Sequence, residues 1–133
     1  MKRLYVIQHS IIVIIQHAAL RHSISRWLRE LYPETEVVEA ETGEEGILHA
    51  LTRPSSVIIM DGNLGDSTAN NIINTIREKR MSGPVILLSV MNDKQTVKKL
   101  QTIDADAILD EREIWTKLPL ILHSLLVRQS IFV

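Results

Sequence analysis

Residues 57–63 read Val57-Ile58-Ile59-Met60-Asp61-Gly62-Asn63. A short, continuous apolar run rich in β-branched residues has no solvent face, so it reads as a strand covered on both sides. Asp61-Gly62-Asn63 is a stop signal built from turn-forming residues. In an open α/β sheet, chemistry gathers outside the carboxyl ends of the strands. Asp61 stands at such an end and is a candidate nucleophile or metal ligand. Its simpler reading is the opening residue of a turn.

Working outward, the flanking segments alternate between short apolar runs and helical patterns. On the N-terminal side, Ile11–Gln16 is a β-branched run expected to be the first core strand. Leu20, Ile24, Trp27, Leu28 and Leu31 then fall at helical spacing, and Pro33 closes that helix. Glu36–Ala40 alternates weakly as a second strand. Thr42-Gly43-Glu44-Glu45 has the form of a capping box, with Ile47, Leu48 and Leu51 expected to be buried. On the C-terminal side, Ala69–Lys79 is helical with Ile72, Ile73 and Ile76 inward. Val85–Leu88 is a fourth buried strand ending at Ser89, and Asp93–Gln101 a fourth helix. Ala107–Leu109 is a fifth strand. A fifth helix runs from about Thr116 to Gln129, with Pro119 expected in its first turn. This order predicts a doubly wound, flavodoxin-like parallel sheet of five strands in the order 2-1-3-4-5, with helices on both faces.

With 133 residues, the chain is expected to form a single domain with its core at 11–128 and residues 1–10 as an N-terminal extension. Leu4–Gln8 could form a strand of its own, and Val6-Ile7-Gln8-His9 is echoed by Ile14-Ile15-Gln16-His17, too briefly for a repeat. Fifteen Lys and Arg against sixteen Asp and Glu leave a net charge of −1, which gives no electrostatic case for nucleic acid or an anionic membrane. No cysteine is present, so thiol catalysis and thiolate metal sites are excluded. Met1-Lys2-Arg3 precedes apolar residues, but Gln8-His9-Ser10 breaks the stretch, which is too short for a signal core or a span. A cytoplasmic location is expected.

The ordered segments resemble the receiver domain of two-component response regulators. The resemblance rests on His17-Ala18-Ala19-Leu20-Arg21, Glu36–Ala40 with Thr42–Gly46, Val57–Asp61, Val85–Ser89 and Asp104-Ala105-Asp106-Ala107. It implies that Asp61 occupies the phosphoacceptor position and Ser89 the switch position. It also implies an acidic pair after the first strand, to hold Mg²⁺ with the aspartate, and a lysine after the fifth strand. Here the acidic places read Ile15 and Gln16, the lysine place Glu111, and the aromatic switch place Ile108. Ile15 cannot bind a metal, Gln16 offers a neutral oxygen, and Glu111 would repel a phosphoryl group. A shift of one residue would bring Asp110 or Arg112 to the lysine place, and neither is a lysine. The expected protein is therefore an atypical receiver, not an enzyme, with Mg²⁺ weak if bound at all and no ligands beyond Asp61 and Gln16. It acts through contacts with a histidine kinase or another signalling protein. Two alternatives stay open: a true phospho-receiver accepting phosphate on Asp61, and a small-molecule or metal-binding module.

His9 and His17 could approach Asp61 as metal ligands, although surface histidines are the simpler reading. Met60, Trp27 and Trp115 read as packing groups, and Lys94, Lys98 and Lys99 as a solvated face. On the last helix, Leu118, Ile121, Leu122 and Leu125 face the core. Leu120, Leu126 and Val127 lie off that face, which suggests a homodimer through the fourth helix, fifth strand and fifth helix. Asp61→Asn is expected to leave function largely intact at a modest cost in stability.

Overall fold

The computed structural model describes residues 10–53, 56–64, 69–79, 83–89 and 104–129, with side chains to residue 125. Five parallel strands form one sheet: β1 (Ser10–Ile14), β2 (Glu36–Ala40), β3 (Val57–Asp61), β4 (Val85–Ser89) and β5 (Ala107–Asp110), in the order β2-β1-β3-β4-β5. The described helices are α1 (Ala18–Leu31), α2 (Gly43–Leu51), α3 (Ala69–Glu78) and α4 (Ile114–Gln129). The expected sheet and strand order are those observed. The segments read as a strand at Leu4–Gln8 and a helix at Asp93–Gln101, with its three lysines, lie outside the described residues. Ser10, expected to end an extension, is the first residue of β1 and its hydroxyl donates to Glu36 Oε1 at 2.9 Å.

Strand alternation divides the core into two layers. Ile12, Ile14, Ile58, Met60, Val85 and Leu87 face α2 and α3. Ile11, Val13, Val57, Ile59, Ile86, Leu88 and Leu109 face α1 and α4. That is why the strand sequences are continuously apolar: each face meets a helical layer. Leu118 and Leu122 of α4 are fully buried in the second layer, each worth roughly 1.5–3 kcal/mol of burial. Ile121 and Leu125 pack against its edge, as their spacing predicts.

Two helices differ from their sequence reading. Leu48 and Leu51 of α2 are 59% and 47% exposed, whereas Gly46 and Ala50 are buried. The space a Cβ would need at Gly46 is filled by the Ile14 side chain, so α2 sits close to β1 on its smallest residues and turns its leucines outward. Leu31, at the end of α1, is likewise exposed rather than inward. The last helix begins at Ile114, so Pro119 is in its second turn. The earlier start has a local cause. Asp110 Oδ1 accepts the N–H groups of Arg112 and Glu113 at 2.9 and 3.0 Å, while Glu113 Oε1 accepts the Asp110 N–H at 3.1 Å. This reciprocal cap fixes the chain before the first turn. Pro119 cannot donate to the carbonyl four residues back, and its own carbonyl accepts from the Tyr32 hydroxyl at 3.4 Å.

Candidate functional site

The carboxyl ends of the strands bring together the residues singled out by the sequence. Asp61 pairs in register with Leu88, and Ser89 with Asp110. The Gly62 N–H donates to Leu88 O at 3.0 Å, extending the β3–β4 ladder past Asp61. Asp61 and Ser89 therefore stand at the same end of adjacent strands. Ile15 follows Ile14, which pairs with Met60, so the end of β1 lies beside Asp61. Met60 is fully buried in the layer under α2 and α3.

Asp61 is half-buried, and its Oδ1 accepts the Asn63 N–H at 3.0 Å. This is an Asx turn, so the turn-opening role read from Asp61-Gly62-Asn63 is realised. Burial pushes the Asp61 carboxyl above its ordinary range, and the Asn63 hydrogen bond offsets part of that rise.

The neighbouring positions supply little charge to work with. Ile15 is 0% exposed and belongs to the layer under α1 and α4. Gln16 is exposed beyond it. Their two carbonyls accept from Arg21 Nη1 at 2.8 and 3.2 Å. Glu111 is exposed in the turn after β5. Arg112 lies 3.9 Å from the Asp110 carboxylate, and its side chain is largely in solvent. Ile108 is half-buried against the layer under α2 and α3. Among the described residues no group of three acidic, His or Cys side chains could hold a metal ion. Mg²⁺ takes hard oxygen ligands in near-octahedral order. One carboxylate already engaged by Asn63, one amide and an isoleucine do not fit it.

Three features of this rim were missed in the sequence. His17 caps α1, its Nδ1 accepting the Leu20 N–H at 3.3 Å. His9, its suggested partner in a metal site, lies outside the described residues. Glu39 on β2 gathers Arg21, His22 and Arg29 at 3.3, 2.7 and 3.3 Å, tying α1 to the sheet edge. Arg21 and Glu39 are eighteen positions apart, and nothing in local spacing pairs them. The Asp110–Glu113 cap was legible as an acid followed three residues later by Glu. Trp27 and Trp115 pack edge to face with centroids 4.9 Å apart, as packing groups do.

A family model of the response regulator receiver domain matches residues 11–113. The nitrate/nitrite response regulator protein NarL of Escherichia coli K12 is 29% identical over 100 residues, covering 75% of this chain and 46% of that protein. The chain thus spans about half the length of the curated relatives it matches. A putative response regulator from Chloroflexus aurantiacus superposes with a TM-score of 0.76 at 16% identity, over 90% of this chain and 98% of the other. A LuxR-family DNA-binding response regulator from Staphylococcus aureus gives 0.74 at 18%, over 88% and 98%. A streptococcal redox sensor, described as evolved from two-component response regulators, gives 0.76 at 17%, over 91% and 52%. At these identities the structures speak for the fold, and the family match for descent. Receivers are signalling modules that work with histidine kinases and other signalling proteins. With its family model matched from β1 to the cap of α4, this chain belongs to the response regulator receiver domain family of two-component signalling.

Proposed function

We propose that this receiver signals by protein–protein contact without standard phosphoryl transfer. The observation that carries the reading is Ile15: where the resemblance expects a carboxylate, an aliphatic side chain is fully buried in the core. A cation that neutralises phosphoryl charge needs anionic oxygens at that point. Glu111 adds repulsion where a lysine would attract, and Ile108 has no aromatic ring to swing toward Ser89. The pocket residues Asp61 and Ser89 then shape a fixed surface rather than a switched one. The partner is a histidine kinase or another signalling protein, met in the cytoplasm. No direct contact with nucleic acid is part of this reading. Among the described residues, no helix is long and apolar enough to cross a membrane. Self-association belongs to the same reading, supported by Leu120 on α4, which is 72% exposed; residues 93–101 and the side chains of Leu126 and Val127 are outside the described part.

A second reading keeps Asp61 as a true phosphoacceptor, favoured by its half-buried place at the strand ends. Partner binding separates the two. Wild type and Asp61→Asn are compared by calorimetry with and without a phosphodonor and Mg²⁺. The proposal expects equal affinity in all four arms. Tightening by the donor in wild type alone overturns it in favour of phosphorylation at Asp61.

A further inference from the structure

The chain that follows β1 is gripped by a side chain that also reaches the sheet edge. The carbonyls of Ile15 and Gln16 both accept from Arg21 Nη1, at 2.8 and 3.2 Å. On the same guanidinium, Nε lies 3.3 Å from Glu39 Oε1 on β2, and the two side chains are 11% and 21% exposed. Solvent therefore screens this ion pair less than a surface one. A guanidinium is a rigid planar fork, so a carboxylate at Nε sets the direction in which Nη1 points. Glu39 is itself fixed from its other oxygen. Oε2 accepts from Arg29 Nη2 at 3.3 Å, and the same nitrogen donates to Val37 O at 3.0 Å. Arg29 is about half exposed, so this end of the chain of contacts can be reached from outside. The other end lies beside the phosphoacceptor position, since Ile14 pairs with Met60 next to Asp61. We infer that Glu39 and Arg21 are positioning residues acting in series: Glu39 aims Arg21, and Arg21 fixes the segment after β1 beside Asp61. A partner carboxylate that draws Arg29 away from Glu39 shifts the guanidinium and loosens that rim. This deepens the reading of signalling by contact, naming a route by which contact at the α1–β2 edge reaches Asp61, and rests on it only for that use.

The test is ¹⁵N relaxation on the full chain, read as backbone order parameters at residues 15–17. Wild type is expected to be as rigid there as the strands, at about 0.85, and Arg21→Gln to fall toward about 0.6. Glu39→Gln should fall equally, although Glu39 touches neither carbonyl. The double variant should fall no further, because the two act in series. Arg21→Lys keeps the charge without the fork and should match Arg21→Gln. Arg29→Gln, which mimics a partner taking Arg29, should fall part of the way. Strands β3 and β4 stay unchanged in every arm as the control for folding. Should Glu39→Gln fail to fold, Glu39→Asp takes its place, with a shorter carboxylate and the same expected loosening. Loosening of α1 and β2 with residues 15–17 still rigid in the Glu39 variant overturns the proposal, since Glu39 then only ties helix to sheet. So does an additive double variant, or a wild type already mobile at residues 15–17. No change there in Arg29→Gln overturns the route from the edge. Phosphorylation of Asp61 would defeat the reading of contact alone and leave these outcomes untouched.

Discussion

Asp61 holds its carboxyl in a half-buried place with the Asn63 N–H as its hydrogen-bond donor. Burial raises its pKa, with the hydrogen bond pulling the other way. A raised carboxyl pKa means that the fold favours the protonated form. The group then adds stability below its unfolded pKa, about 3.9, and that stability is lost as pH rises through the folded value. Asp61→Asn keeps the shape and one acceptor oxygen, and has no charge to desolvate. It should therefore melt higher than wild type at neutral pH, with the gap closing as pH falls through the carboxylate range. Thermal melts across that range read the effect directly; a lower melting point for the variant at neutral pH would contradict it. The sequence had suggested a small loss of stability instead. The opposite sign is expected here because burial, which spacing cannot reveal, raises the Asp61 pKa and the Asn63 hydrogen bond only partly offsets it.

At the scale of elements, the strands were legible and the helix faces were not entirely so. Val57–Met60 and Val85–Leu88 have no polar residue to mislead, and both are buried throughout. α2 misleads because its seat is made of Gly46 and Ala50, with Ile47 packed against the core as expected and only Leu48 and Leu51 turned outward. Periodicity weighs side chains by hydrophobicity, whereas packing depth here is set by what Ile14 leaves room for. The start of α4 was misplaced because the Asp110–Glu113 cap was not recognised. The orientation of α2 makes a prediction opposite to that of the sequence pattern. Gly46→Ala should cost about 1–3 kcal/mol, as overpacking against a buried isoleucine does. Leu48→Ala should stay within about 0.5 kcal/mol of wild type. Urea denaturation of the two variants decides it: a larger loss for Leu48→Ala would mean that α2 is turned the other way.

At the scale of the molecule, the fold was readable because five apolar runs and their intervening helices occur in an order that one sheet topology accommodates. The site was readable only in part. Asp61 and Ser89 declare themselves at strand ends, but the burial of Ile15 and the Arg21 grip on the two carbonyls after β1 are long-range results of folding. Together they support the proposed reading, in which Asp61 keeps the phosphoacceptor position of a receiver without the surroundings that bind a cation. That claim meets its most direct test in the intact mass of the protein after incubation with acetyl phosphate and Mg²⁺. The account predicts an unchanged mass, with wild type and Asp61→Asn indistinguishable. A mass increase of one phosphoryl group in wild type, absent in Asp61→Asn, would contradict it.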